Sequence, residues 1–142
     1  MIEPISITVL GIPKGQPRPR ACIRGKHAGM YDSGIANEWK AAIRAAWKSV
    51  DLPLHNIPLK MSVTARFPRP KSHFFPKGGL RPNAPYWHIS KPDGSNVLKL
   101  IEDTLTGLAY SDDRIIAECA IIKVYSDMPG VVITISELEA PE

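Results

Sequence analysis

Leu59-Lys60-Met61-Ser62-Val63-Thr64-Ala65-Arg66-Phe67 is the stretch from which the fold can be read. Met61, Val63, Ala65 and Phe67 fall on one side of an extended chain, and Ser62, Thr64 and Arg66 on the other. That period of two marks a strand with one buried face. Upstream, Trp39, Ile43, Ala46, Trp47 and Val50 recur at three- and four-residue steps, with Glu38, Lys40, Arg44 and Lys48 opposite. The spacing predicts an amphipathic helix over about 35–49, broken at Asp51-Leu52-Pro53, with both tryptophans as core anchors. Ile5 to Leu10 alternates as a first strand, with Ile5, Ile7 and Val9 inward. Downstream, the stretch from Lys91 opens a second helix with the apolar stripe Val97, Leu98, Ile101, Leu105 and Leu108, and Gly107 supplies its stop. Ile115 to Tyr125 reads as an apolar strand and Val131 to Leu138 as the last one, with Ser126–Gly130 as the turn of a hairpin between them. The expected order is β-α-β-α-β-β, an α+β domain in which two helices pack on a small mixed sheet.

With 142 residues, 44% of them hydrophobic and 23% charged, the chain suits one globular domain spanning 1–142 rather than a disordered or fibrous one. No run approaches the ~18–20 apolar residues that cross a bilayer, and Met1-Ile2-Glu3-Pro4 lacks a secretion-signal pattern, so no membrane partner is expected. Cys22 and Cys119 are far apart and in no metal-ligand spacing, which fits reduced thiols in a cytoplasmic protein.

Charge is divided along the chain. Residues 1–101 hold 16 Lys+Arg against 5 Asp+Glu, whereas residues 102–142 hold 2 against 9. Two loops, about 12–32 and 68–92, carry most of the cations. In the first, Lys14, Arg18, Arg20, Arg24 and Lys26 occur without an acidic residue between them, and its glycines and prolines argue against a regular element. In the second, Arg69, Lys71, Lys77 and Arg81 interleave with Phe74, Phe75, Tyr86 and Trp87, again without a carboxylate. Cations for phosphate and rings for exposed bases suit nucleic acid. A solvated loop tacked down by its own aromatics is the structural alternative. His73 and His88 have no partners at metal spacing and read as surface or loop residues.

Carboxylates recur at Asp93 and at Asp112-Asp113. Asp93 and Ser95 stand where helix caps stand, and Lys99 with Asp103 has the spacing of an i,i+4 ion pair. If the second helix packs on the sheet, its start and the loop after it can converge, and clustered carboxylates call for a cation such as Mg2+.

These residues resemble a known family. Lys91-Pro92-Asp93-x-x-Asn96-x-x-Lys99, then Asp103-x-Leu105-x-Gly107, then Asp112-Asp113-x-x-Ile116, are similar to the RusA family of Holliday junction resolvases. Gly11-Ile12-Pro13-Lys14 leading to Arg18-Pro19-Arg20 and Phe67-x-Arg69-Pro70-Lys71 match as well. The resemblance implies a homodimeric endonuclease, dependent on Mg2+ with Mn2+ as a substitute. Such an enzyme binds four-way DNA junctions and nicks opposing strands in recombination and repair, in the cytoplasm of a bacterial or phage-infected cell. Carried over by position, it makes Asp93 and Asp113 metal ligands and catalytic acids, with Asp112 beside them. Lys99 becomes the essential lysine, Asn96 the motif asparagine, and the basic residues of both loops DNA contacts. One departure stands out: Ser95 occupies a position where the family usually has a further aspartate. A hydroxyl supplies no anionic ligand, so the alternative expectation is a junction-binding protein with impaired cleavage.

Overall fold

A computed structural model describes residues 3–17, 20–24, 27–31, 34, 36–50 and 56–141, with 20–24 and 27–31 described as backbone. The elements are β1 (Ile5–Leu10), β2 (Arg20–Arg24), β3 (His27–Tyr31), α1 (Asn37–Lys48), β4 (Leu59–Phe67), α2 (Gly94–Leu105), β5 (Ile116–Tyr125) and β6 (Gly130–Glu137), with single 3₁₀ turns at Lys71–His73 and Asp113–Ile115. One mixed sheet has the order β1-β6-β4-β5, and β2 and β3 form a separate antiparallel pair. This is the expected α+β architecture with one added hairpin.

The alternation in β4 works as its sequence implies. Leu59, Met61, Val63, Ala65 and Phe67 are buried under the helices, while the intervening residues are half-exposed on the other face. Trp39, Ile43 and Trp47 of α1 and Val97, Leu100, Ile101 and Leu105 of α2 join Ile7, Val9, Val131, Ile133 and Ile135 in a single core. Burying side chains of this size is worth roughly 1.5–3 kcal/mol each, so the sheet face and the two helix stripes hold one another in place.

Two expectations need correction. β5 and β6 are not a hairpin: they run antiparallel, but β4 lies between them, parallel to β5 and antiparallel to β6. α2 serves as the crossover between parallel β4 and β5, and the turn after Tyr125 then steps over the end of β4, where Ser126 N–H donates to the Phe67 carbonyl at 2.9 Å. β6 thereby lies between β1 and β4, where both its edges are paired and Val131, Ile133 and Ile135 are fully buried. A short turn between two strands carries no information about whether a third strand lies between them. Gly130 suits that tight entry, since a Cβ there would come within 2.5 Å of the Val9 carbonyl oxygen. The second correction concerns the first basic loop, which contains the β2–β3 pair despite its glycines and prolines. The prolines at 13, 17 and 19 precede β2, so they leave its ladder donors intact.

Candidate active site

Asp93 is the residue before the first turn of α2. Its backbone is extended (φ −63°, ψ 144°), and its carbonyl accepts from the N–H groups of Asn96 and Val97. The side chain makes no capping hydrogen bond, so the carboxylate is exposed and uncommitted, against the expectation of a capping acid. Ser95, also exposed, supplies no cap either. Asp93, Asn96, Lys99 and Asp103 follow each other at steps of three or four and form one stripe along α2. Among the described residues, Lys99 and Asp103 do not form the ion pair their spacing allows.

The turn that presents Asp93 is held by a residue the sequence did not point to. Lys123, on β5, donates from Nζ to the carbonyls of Ser90 (2.7 Å) and Pro92 (2.6 Å). Its stem passes the Gly94 position, where an added Cβ would meet Ile121 Cγ2 at 3.2 Å and Lys123 Cδ at 3.8 Å. The Lys91–Pro92 peptide in this turn is cis. The basic arm docks on the same place: Gln16 N–H donates to the Asn96 carbonyl (3.0 Å), and a Cβ on Gly15 would lie 3.1 Å from the Cβ atoms of Asn96 and Pro92. Lys14 is therefore anchored beside the start of α2, with β2 and β3 beyond it. Arg18 and Lys26, and the side chains of Arg20 and Arg24, lie outside the described residues.

The remaining acids gather at the other end of α2. Tyr110 is fully buried and donates its hydroxyl to the Glu102 carbonyl at 2.7 Å, while Gly107 N–H donates to the Tyr110 carbonyl at 2.7 Å. These bonds fold the chain back so that Asp112 and Asp113 come up beside Glu102 and Asp103. Asp112 accepts from Arg114 N–H at 2.9 Å, and this bond holds its carboxyl below the usual carboxylate range. Asp113 is pushed up by partial burial, then by its hydrogen bond to Asp112 and by the charges of Asp112 and Asp103. Glu102 is pushed up by burial, then by Asp113 and Asp103, with Lys99 opposing. The cluster is thus short of positive charge: Lys99 opposes the rise at Glu102, and Arg114 lies 3.9 Å from the Asp112 carboxylate.

Does this arrangement fit a divalent ion? Hard carboxylate oxygens are the right donor type. The number of donors is not: among the described residues, no three His, Cys, Asp or Glu side chains gather where an ion could sit. Asp93 and Asp103 are ten residues apart on a helix, a rise of roughly 15 Å. The charge of Asp103 is among those that push Asp113 up, which places Asp113 at the Asp103 end of α2. The expected convergence of Asp93 with Asp112-Asp113 is therefore not made within one chain, because both are tied to α2 at opposite ends.

In the second basic loop the two kinds of cation separate. Arg69 donates to the Pro85 carbonyl (2.8 Å) and lies over the Tyr125 ring, and Arg81 donates to the Phe74 carbonyl (3.1 Å) and lies over Phe75. Both arginines brace the loop. Lys71 and Lys77 are exposed, with no bonded partner among the described residues. Phe74, Phe75, Tyr86 and Trp87 are all partly exposed, Trp87 at 55%. His88, expected at the surface, is buried with its ring stacked on Phe67 at 3.8 Å. His73 meets Tyr125 edge-on.

The comparison with known proteins bears directly on this site. A family model described as endodeoxyribonuclease RusA matches residues 11–136, from the docked basic arm to the end of β6. The chain belongs to the RusA family of endodeoxyribonucleases. Nucleases of this family are generally dependent on a divalent metal, and membership supports nuclease action on Holliday junctions and binding of branched DNA. A Bacillus subtilis (strain 168) protein described as "Uncharacterized protein YqaN" is 34% identical, over 96% of this chain and 98% of its own length. No helix among the described residues is long and apolar enough to cross a membrane.

Proposed function

We propose that this RusA-family protein is a Mg2+-dependent endonuclease that resolves four-way DNA junctions by paired phosphodiester hydrolysis, acting as a homodimer in recombination and repair. The observation that supports it most is the continuous family match, which includes the exposed, uncapped Asp93, Lys99 on the same helix stripe, and Asp112-Asp113 after it. By the family motif, the proposed oxygen donors for the ion are Asp93, Asp112 and Asp113, although one chain holds Asp93 at the opposite end of α2 from the other two. Lys99, exposed and without an ion pair among the described residues, is the proposed partner of a phosphoryl oxygen, where an ammonium stabilises developing negative charge. Lys14, Arg18, Arg20, Arg24, Lys26, Lys71 and Lys77 are the proposed phosphate contacts, while Arg69 and Arg81 shape the loop that carries two of them. Two-fold symmetry suits a junction, because it offers equivalent sites to two equivalent strands.

The test uses synthetic four-way junctions with Mg2+ or Mn2+. Paired, symmetrically placed nicks are expected, and their absence at any concentration of either ion refutes the nuclease reading. Ser95 supports a second reading, a junction-binding protein with weakened cleavage, since a neutral hydroxyl stands two residues after Asp93, where the family usually has a further aspartate. That reading predicts salt-sensitive junction binding in EDTA without nicking.

A further inference from the structure

The connection between β4 and α2 carries a small hairpin at residues 74–80. Phe75 N–H donates to the Gly79 carbonyl and Gly78 N–H to the Phe75 carbonyl, both at 2.9 Å, and Arg81 N–H donates to the His73 carbonyl at 2.8 Å. Pro76 has the fixed φ that suits the second residue of such a turn, and Gly78 and Gly79 supply the positive φ values of 93° and 88° that close it. The hairpin is therefore held by backbone bonds rather than by its rings.

Its rings have unlike surroundings. Tyr86 and Trp87, on the segment bridged to β5, meet edge to face with centroids 4.8 Å apart. Phe75 has no aromatic partner among the described residues and is 44% exposed at the hairpin tip. A cation meets it instead. The Arg81 guanidinium lies over the Phe75 ring, 5.0 Å from its centroid, and is fixed by the bond from Nε to the Phe74 carbonyl at 3.1 Å. That bond leaves the terminal nitrogens of Arg81 without a hydrogen-bond partner among the described residues. Lys71, Ser72, Phe74, Phe75, Pro76 and Arg81 line a recess of about 430 Å³. It holds two cations and no carboxylate, and residues 68–92 contain no Asp or Glu to neutralise them. A loop tacked down by its own aromatics does not describe Phe75.

An aromatic face beside unpaired cations suits a flat ring that carries a negative charge, which in DNA is one nucleotide. The size is adequate, since ligand pockets run from about 300 to 1,000 Å³. Within a continuous duplex both faces of each base are covered by neighbours. At a branch point a base loses a neighbour, so drawing it out of the stack costs less. We propose that this recess holds a single unstacked nucleotide of the branched substrate, with its base against the Phe75 ring and its phosphate on Lys71 and the terminal nitrogens of Arg81. Arg81 thus serves twice, bracing the hairpin through Nε and meeting phosphate beyond it. The proposal deepens the function above and rests on its DNA-binding part, because the pocket separates branched DNA from plain duplex before any bond is cut. Phe75 is then a specificity residue rather than a catalytic one.

The experiment uses the full chain in EDTA, with a duplex carrying one unpaired thymine and the same duplex fully paired, read by fluorescence anisotropy. Wild type should bind the bulged duplex about tenfold more tightly, Phe75→Leu should bring that ratio to about twofold or less, and Phe75→Trp should keep it. With 5-iodouracil in place of the unpaired thymine, irradiation should cross-link the wild-type chain at Phe74 or Phe75, located by peptide mass spectrometry. The cross-link is read on the wild-type chain and so holds whatever the substitutions do to folding. Equal binding of the two duplexes, a wild-type ratio in folded Phe75→Leu, or a cross-link at Tyr86 or Trp87 instead overturns the pocket; if junctions are still bound and nicked with Mg2+, the nuclease reading stands. A chain that prefers the bulge through Phe75 but never nicks a junction keeps the pocket and loses the nuclease reading. One that binds neither junctions nor bulged DNA loses both.

Discussion

Replacing Lys123 with methionine isolates the contact that positions Asp93. The substitution keeps the stem that packs near Gly94 and removes the ammonium that donates to the Ser90 and Pro92 carbonyls at 2.7 and 2.6 Å. Hydrogen bonds from a charged donor contribute about 1.5–3 kcal/mol each, but Lys123 is half-exposed and water replaces part of what is lost. A net loss of about 2 kcal/mol follows, which for a chain of this size lowers Tm by roughly 6–8 °C. The catalytic effect should be larger than the stability loss alone would give. Once the Ser90–Pro92 turn is free, Asp93 moves with it, and a displacement of about 1 Å can cost on the order of a hundredfold in rate. Single-turnover nicking of a labelled junction, well below Tm and at saturating protein, should fall by about ten- to a hundredfold. The salt dependence of junction binding should stay nearly as in wild type, since this ammonium is occupied by carbonyls. A variant that loses stability yet nicks at the wild-type rate would refute the positioning role. One that melts within about 1 °C of wild type would refute the energetic argument itself.

Three other outcomes follow from the same structure. Ser95→Asp adds a carboxylate two residues after Asp93 and should tighten Mn2+ binding and raise nicking by about tenfold or more; calorimetry and a nicking assay at limiting metal check it, and no change would mean that the wild-type ligand set is already complete. Lys71→Ala with Lys77→Ala should weaken junction binding and reduce the slope of log K against log salt by about 1–2, whereas Arg69→Ala should lower thermal stability and leave the slope nearly unchanged. Burial keeps the His88 imidazole below its ordinary 6.5, with Lys123 adding to the effect. The folded state then binds fewer protons than the unfolded one as pH falls below that value, so stability should hold above about pH 6.5 and decline beneath it, by at most about 1.4 kcal/mol per pH unit. Urea unfolding at pH 7 and pH 5 should show a smaller drop for His88→Phe than for wild type; equal drops would remove His88 as the cause.

Local pattern carried much of this protein. The alternation of Met61, Val63, Ala65 and Phe67, the tryptophan stripe of α1 and the Val97–Leu105 stripe of α2 defined the core face of each element, because side-chain period is a property of the backbone and needs no partner to be read. The motif residues Asp93, Asn96 and Lys99 were likewise legible from their spacing along the chain. His88 was not: as an isolated polar residue in a proline-rich loop it gave no sign that it would stack on Phe67. Nor were Lys123 and Tyr110, whose roles consist of reaching carbonyls 31 and 8 residues away.

Strand order was the other thing beyond the sequence. Ser126–Gly130 has the same composition whether it joins neighbours or steps across β4, and only the competition among strands for a place between two partners put β6 in the middle and left β5 at the edge. The sequence by itself determined which residues face the core and which acids and cations the site can draw on, since those follow from local periodicity and chemistry. Tertiary structure alone decided that α2 holds Asp93 and Asp113 apart, because a helix is rigid and its length separates whatever is tied to its two ends.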